Sequence, residues 1–376
     1  MIITVSNKAK PHGCVSLPPS KSEAIRAALL YALAGEDPRM AVAGFPSPYC
    51  ADIGNALGAA GNPKEAYVGQ SAALLRFIIP IQMALYGRVS VRADEALLKR
   101  GLYEAEECLG ISLAPKIGTT YIEAKATRYK RRYEIDCSRS SQFLSGLLIA
   151  LPLLKHECEI VIKNGLVSKP YADMTLEFIR LFGGKIENTA TGYRTYPSRY
   201  AAPKRTPVKG DRSLAAVFEA MNLFGGEVTV LGERDPLQPD SRFLMISSLP
   251  VIDVADCPDL LPILAASACG KAGETVITGT YRLKTKESDR PNGIVRMIND
   301  LGGSAETMED RVIVHGSGWL RGGECDPLGD HRLAFAAAVM AMISENPVTL
   351  HGAECVSKSA PQFRDDLERI GSGLDR

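Results

Sequence analysis

Net charge is almost missing from this chain: 44 Lys and Arg stand against 43 Asp and Glu, leaving a formal charge of +1 over 376 residues. No global field then favours nucleic acid or a membrane surface, so any anion site has to be a local gathering of cations. Cysteine pairing is missing as well. The nine cysteines, at 14, 50, 108, 137, 158, 257, 269, 325 and 355, form no C-x-x-C pair and leave one over, which argues for reduced thiols and against a disulfide framework or a zinc site. There is no long apolar run, because the longest candidate, 72–87, is broken by Arg76, Pro80 and Gln82. The opening Met-Ile-Ile-Thr-Val-Ser reads as a strand and not as a signal peptide. We therefore expect a soluble cytoplasmic protein with no metal.

Several catalytic signatures are absent too. No G-x-x-x-x-G-K-[ST] and no G-x-S-x-G occurs, and Gly316-Ser-Gly318-Trp-Leu-Arg-Gly322 misses the dinucleotide fingerprint by one position. P-loop, NAD-dependent and nucleophile-elbow readings are excluded on these grounds, and no cofactor is expected.

What the chain does contain is a recurring joint between helix and strand. An apolar helix end runs into Gly-Gly and then a strand at Leu181-Phe182-Gly183-Gly184, at Leu223-Phe224-Gly225-Gly226 and at Leu301-Gly302-Gly303, with a weaker copy at Leu109-Gly110. Glycines that cap a helix and turn the chain into a strand, repeated this way, predict an α/β protein assembled from copies of one unit. The length suits two ordinary domains or one large one. A basic, Tyr-, Arg- and Pro-rich stretch at 191–208 separates two periodic regions, which puts a seam at Thr206–Asp211; a second crossing is expected at Pro18-Pro19.

The helix starts carry the chemistry. Ser20 reads as an N-cap, Glu23 as its capping-box partner, and Ile25, Ala28, Leu29, Ala32 and Leu33 as one buried face that ends at Gly35. Lys21, Ser22 and Arg26 on its first turns, beside free N–H groups and a positive dipole end, compose an anion site for phosphate or carboxylate. Arg76 lies inside an apolar segment, so its guanidinium either pairs internally or binds a ligand. Ser138-Arg139-Ser140-Ser141-Gln142 offers more hydroxyls than one cap needs. Asp259 fits an N-cap with Pro262 in the first turn. Lys286, Glu287 and Arg290 crowd a helix start ahead of Pro291, and Asp330-His331-Arg332 opens a helix too apolar to be exposed. Lys358 says nothing by itself.

Taken in order, these segments resemble EPSP (5-enolpyruvylshikimate-3-phosphate) synthase over nearly the whole chain. The resemblance rests on Pro18-Pro-Ser-Lys-Ser-x-x-x-Arg26, Ser140-Ser-Gln-Phe-Leu, Ser168-Lys-Pro-Tyr171, Gly210-Asp211-x-Ser213, Pro258-Asp259, Lys286-Glu-Ser-Asp-Arg290, Asp330-His-Arg332 and Lys358, of which Lys-Glu-Ser-Asp-Arg and Asp-His-Arg are the specific matches. It implies a two-domain inside-out α/β barrel of repeated βαβαββ units with the active site in the interdomain cleft. The first domain would cover 19–209 and the second 1–18 plus 210–376. It also implies transfer of the enolpyruvyl group of phosphoenolpyruvate to the 5-hydroxyl of shikimate 3-phosphate, through a tetrahedral ketal, by a monomer.

By the same resemblance Lys21, Ser22, Arg26, Ser140, Ser141, Gln142, Ser168, Asp259 and Lys286 would hold shikimate 3-phosphate. Lys21, Arg76, Arg100, Gln142, Arg290, His331, Arg332 and Lys358 would hold phosphoenolpyruvate. Glu287 would move the proton at the methylene carbon, and Asp259 or Lys21 would take the hydroxyl proton. Both substrates are polyanions, which suits so many cations and dipole ends. The chain also departs from the family pattern. Ala72 and Ala73 replace a glycine and a threonine, Arg100-Gly101 replaces Arg-Pro, and Ala93-Asp-Glu-Ala-Leu replaces Gly-x-x-x-[LM]. The first pair predicts weak binding of glyphosate, the family's inhibitor. Two other readings are the related transferase acting on UDP-N-acetylglucosamine and a non-catalytic anion-binding paralogue.

Overall fold

A computed structural model describes every residue except 1, 6–9, 117, 126–128, 233, 372–373 and 376. The chain divides into two compact units, Pro19–Val208 and Met1–Pro18 with Lys209–Arg376. Each has a hydrophobic core of its own. The 191–208 stretch is not a spacer between them. Residues Gly192–Tyr196 form a strand paired on both sides, and Tyr200 is buried with its hydroxyl donating to the Ile149 carbonyl at 2.8 Å. Tyrosines with an apolar body and one satisfied hydroxyl serve a core well, which composition alone reads as a polar linker.

One topology is used repeatedly. In the 19–208 unit, strand Arg132–Cys137 lies parallel to Cys158–Leu166, and Gly192–Tyr196 runs antiparallel between the latter and Lys185–Thr189. Helices Gln142–Ala150 and Lys169–Leu181 make the connections. The other unit repeats this order with strands Val251–Asp253, Ala272–Thr278, Arg311–Ser317 and Ala305–Met308, linked by helices Leu261–Cys269 and Arg290–Asp300. A third copy uses Gly323–Cys325, Val348–His351 and Leu374–Asp375, and its missing strand is supplied from the start of the chain by Ile2–Val5. The βαβαββ unit is therefore closed across the two ends of the sequence.

The Gly-Gly joints divide their labour between two demands. The first glycine takes a positive φ, +80° at Gly183, +90° at Gly225 and +82° at Gly302. The second donates its N–H five residues back, from Gly184 to Ile179, Gly226 to Met221 and Gly303 to Ile298, closing the helix end. Two of the joints are locked further by an amide. Asn222 pairs both ways with the backbone of Val228, and Asn299 does the same with Ala305.

Each unit is built with helices inside and sheets outside. Every residue of helices His331–Ala341 and Leu261–Cys269 is buried, while strands such as Arg132–Cys137 alternate between buried and exposed positions. Helix Lys21–Leu33 follows the same rule: residues 23–31 are buried in succession, instead of the single face its spacing suggests. Helices so enclosed must approach closely. A Cβ on Gly146 would lie 2.4 Å from the Arg76 carbonyl, and that carbonyl is the one that Pro80, lacking an N–H, does not use. Among the described residues no helix is long and apolar enough to cross a membrane.

Candidate active site

In the 19–208 unit the predicted residues gather at the starts of three helices. Arg26, buried on helix Lys21–Leu33, ties them together. Its Nε donates to Thr175 Oγ1 at 2.7 Å, Nη1 to the Ser22 carbonyl at 2.6 Å, and Nη2 to the Tyr171 carbonyl at 3.0 Å and Ser145 Oγ at 3.5 Å. The guanidinium also lies 5.0 Å from the centre of the Phe77 ring. Burial pulls its proton affinity down to about 10, against the weaker opposing pull of Tyr171 and Glu23. Arg26 thus organises the helix starts through neutral acceptors. Ser141 Oγ donates to the Ser168 carbonyl at 3.3 Å, joining the starts of helices Gln142–Ala150 and Lys169–Leu181. Ser168 itself sits at φ +52°, an uncommon conformation for a residue with a side chain.

Capping differs from the expectation at Ser20. Ser20 occupies the N-cap place, but its side chain makes no capping hydrogen bond, so its half of the predicted box is not formed. At the next helix the cap is one residue early: Ser140 Oγ accepts from the Gln142 N–H at 3.2 Å, and Ser141 points its hydroxyl to Ser168 instead. Lys21 pairs with Asp52 at 3.2 Å. Arg76, left open above between pairing and ligand binding, is paired: its Nε donates to Glu104 at 2.6 Å, Nη2 to the Gly101 carbonyl at 3.2 Å and Nη1 to the Ala72 carbonyl at 3.5 Å. Ser22, Ser140 and Arg100 are half-buried, and Gln142 opens its helix.

In the other unit a charged cluster surrounds Arg290, which is only 2% exposed. Its Nη1 donates to Asp259 at 2.7 Å, Nη2 to Glu287 at 2.8 Å and Nε to Asp330 at 2.8 Å. Asp259 turns its second oxygen to Arg332 Nη2 at 2.9 Å, and Glu287 its second to Lys358 Nζ at 3.5 Å. Asp259 is therefore not the N-cap read from its neighbours. It lies in the short turn Pro258–Leu260, and Leu260 precedes the helix; two guanidiniums outcompete a backbone amide for its carboxylate. Asp330 does cap helix His331–Ala341, accepting from the Arg332 N–H at 2.9 Å, while its other oxygen serves Arg290 and Ser288. His331 and Arg332 are buried at that helix start.

Electrostatics follow from this pairing. Burial works against the charge of Arg290, yet Asp330, Glu287 and Asp259 together raise its pKa well above the ordinary value. Arg332 is raised likewise, with Asp259, Asp211 and Asp240 outweighing its burial. Lys286 goes the other way. Loss of solvation brings its ammonium down to about 8 in spite of Asp259, and Arg290 adds to the drop. Asp240, which local spacing gave no reason to single out, is buried and pushed up to about 7, first by burial and then by Asp259. Ser213 donates a short hydrogen bond to one of its oxygens. The carboxylates Asp52, Glu104 and Asp240 were all invisible as site residues, because each meets its partner from a distant part of the chain.

The buried arginines held by carboxylates in the one unit, and the hydroxyl-rich helix starts in the other, each suit anionic ligands. Among the described residues no group of three or more His, Cys, Asp and Glu side chains could hold a metal ion. The sequence profile of EPSP synthase (3-phosphoshikimate 1-carboxyvinyltransferase) matches residues 52–249 and 247–367. The chain belongs to the EPSP synthase family. It is 30% identical over 419 aligned positions to the 3-phosphoshikimate 1-carboxyvinyltransferase of Clostridium kluyveri, covering 98% of this chain and 97% of that one. The enzyme of the same name from Clostridium perfringens is 30% identical over 423 positions, covering 100% and 99%.

Solved structures agree on the fold. The EPSP synthase of Acinetobacter baumannii superposes with a TM-score of 0.78 at 19% identity, covering 100% of this chain and 99% of its own. The enolpyruvyl transferase NikO of Streptomyces tendae gives 0.70 at 13% identity, covering 100% and 98%. The inside-out α/β barrel of the EPSP synthase family is thus the fold of this chain as well.

Proposed function

We propose that this protein transfers the enolpyruvyl group of phosphoenolpyruvate to the 5-hydroxyl of shikimate 3-phosphate, releasing phosphate and giving EPSP. The observation that carries the reading is the Arg290 cluster, in which Asp259 bridges two arginines and Glu287 bridges an arginine and a lysine. Membership of the family supplies the substrates; the cluster supplies what the chemistry needs, anion binding next to two carboxylates.

The steps balance as follows. The 5-hydroxyl oxygen bonds to C2 of phosphoenolpyruvate while a proton adds to C3, giving a tetrahedral ketal; the C2–O bond to phosphate then breaks as a proton leaves C3. In this reading Asp259 accepts the hydroxyl proton, with Lys21 as the other candidate, and Glu287 serves C3 in both directions. Arg290, Arg332, His331 and Lys358 hold phosphoenolpyruvate, with Lys21, Gln142 and Arg100, while Arg76 stays with Glu104 and the carbonyls of Ala72 and Gly101. Ser22, Arg26, Ser140, Ser141, Gln142, Ser168 and Lys286 hold or orient the shikimate ester.

Cations beside Glu287 favour its ionised form, whereas the first proton transfer needs the acid. A phosphate or carboxylate that engages Arg290 and Lys358 would compete with Glu287 for those two cations. Arg26, Arg290 and Arg332 are already held in place, so little reorganisation is left for the reacting complex to pay. The reading places the protein in the cytoplasm as a monomer acting on two soluble metabolites.

The test is phosphate release from purified protein with both substrates, and with each omitted. Release that requires both is the expected result. Binding without release would point to a non-catalytic paralogue, and release with UDP-N-acetylglucosamine in place of the shikimate ester would point to the related transferase.

A further inference from the structure

Arg76 and Arg100 were both expected to meet phosphoenolpyruvate, yet Arg76 is bonded to Gly101, the residue that follows Arg100. The Gly101 carbonyl accepts from Arg76 Nη2 at 3.2 Å, and Glu104 accepts from Arg76 Nε at 2.6 Å. Arg76 is 8% exposed, so this is an ion pair well shielded from water. Gly101 has φ +70°, which proline, fixed near −65°, cannot adopt. A Cβ there would lie 2.6 Å from the ring of Tyr103, which is exposed and would have to turn aside, so the positive φ is the stronger constraint. The turn that carries Arg100 is thus a tight one. Arg100 donates its N–H to Leu97 at 3.1 Å and Gly101 to Leu98 at 3.2 Å, and Arg76 grips it from helix Ala72–Tyr86.

We propose that Arg76 and Glu104 are positioning residues, a clamp on the Gly101 carbonyl that fixes the turn bearing Arg100, the residue that the reading above puts on phosphoenolpyruvate. Where the family pattern has a proline to stiffen the backbone after this arginine, this chain has a glycine, and the stiffness comes from the Arg76–Glu104 ion pair instead. Glycine leaves the most conformational freedom of any residue, so the turn needs such a restraint to present Arg100 in one place. The inference rests on the transferase reading for its substrate.

The test compares Glu104→Gln, Arg100→Ala and the double variant by steady-state kinetics, with limited trypsin cleavage after Arg100 read separately. For Glu104→Gln we expect the KM for phosphoenolpyruvate to rise about fivefold, the KM for shikimate 3-phosphate and kcat to stay within about twofold, and cleavage after Arg100 to quicken. The double variant should be no worse than Arg100→Ala, because the clamp acts through Arg100. A fall in KM for phosphoenolpyruvate would overturn the proposal, since it would mean that Glu104 had been withholding Arg76 as a ligand. So would additive losses, or unchanged cleavage with unchanged KM. Should Glu104→Gln fail to fold, Arg76→Lys, which keeps the charge but loses the fork, is expected to give the same KM shift. If the wild type fails to turn over, the transferase reading falls, and the cleavage rate still decides whether the clamp exists.

Discussion

Glu287 accepts from Arg290 Nη2 at 2.8 Å one turn before the helix that Arg290 begins. The same carboxylate reaches Lys358 at 3.5 Å, so the proposed proton carrier is also a structural counter-ion. Glu287→Gln keeps the shape and one acceptor but cannot exchange a proton. We expect phosphate release to drop by about a hundredfold or more at a temperature where the variant is fully folded, with some loss of thermal midpoint from the weakened pairing. Near-normal turnover would remove Glu287 from the proton path.

Ala72 opens helix Ala72–Tyr86, and its carbonyl accepts from Arg76 Nη1 at 3.5 Å. A methyl here, and the hydroxyl missing at Ala73, narrow and depolarise the neighbourhood that the family resemblance assigns to phosphoenolpyruvate. Inhibition by glyphosate is therefore expected to be weak in the wild type and stronger in Ala72→Gly. A submicromolar inhibition constant for the wild type would contradict this.

Asp240 gives a stability prediction whose sign can be worked out. An unfolded aspartate loses its proton near 3.8, whereas the buried one holds it up to about 7. Between those values the folded state binds more protons, so stability falls as pH rises through the window, and the penalty is complete above it. Asp240→Asn removes the penalty while still accepting from Ser213. Thermal melts should show the variant more stable than wild type by ~1–3 kcal/mol at pH 8, with the difference vanishing towards pH 4.

What could be read from the chain was what depends on neighbours in sequence. The Gly-Gly joints were legible because a positive φ followed by a close approach is a local backbone demand. So was the start of helix His331–Ala341, since Asp330 caps its own next turn. Asp259 was misread as a cap because its real partners, Arg290 and Arg332, lie 31 and 73 positions away. Arg26 was read as part of an anion site on its own helix; its burial among acceptors from helices that begin more than a hundred residues later could not be read there. The all-round burial of helix Lys21–Leu33 was hidden for a related reason: alanines fit a crowded interior and a half-exposed face equally well.

Two glycines separate packing from backbone freedom. A Cβ at Gly303 would lie 2.7 Å from Leu320 Cδ2 and 2.8 Å from Ile298 Cγ2. Gly303→Ala is expected to cost ~1–3 kcal/mol of unfolding free energy through overpacking. Gly58, within helix Ala51–Gly61, has nothing within 4 Å of its Cβ direction, so Gly58→Ala should stabilise by about 0.5–1 kcal/mol. Denaturant unfolding of both variants checks the pair, and equal effects would mean that the second glycine of the joint is not there for room.

Lys286 connects the cluster to pH. Its ammonium, brought down to about 8 by loss of solvation, is charged below that value and neutral above it, whereas an ordinary lysine stays charged to about 10.5. If this charge helps hold shikimate 3-phosphate, the KM for that substrate must rise as pH passes from 7 to 9, with the KM for phosphoenolpyruvate less affected. Lys286→Arg keeps its charge across the range and should flatten the rise; Lys286→Met should raise KM at pH 7 and remove the dependence altogether. A bound phosphate stabilises the ammonium, so the midpoint in the enzyme–substrate complex should lie above that in the free enzyme, which the pH profiles of kcat and kcat/KM report separately. Identical profiles for wild type and Lys286→Met would show that this lysine takes no part in binding the ester.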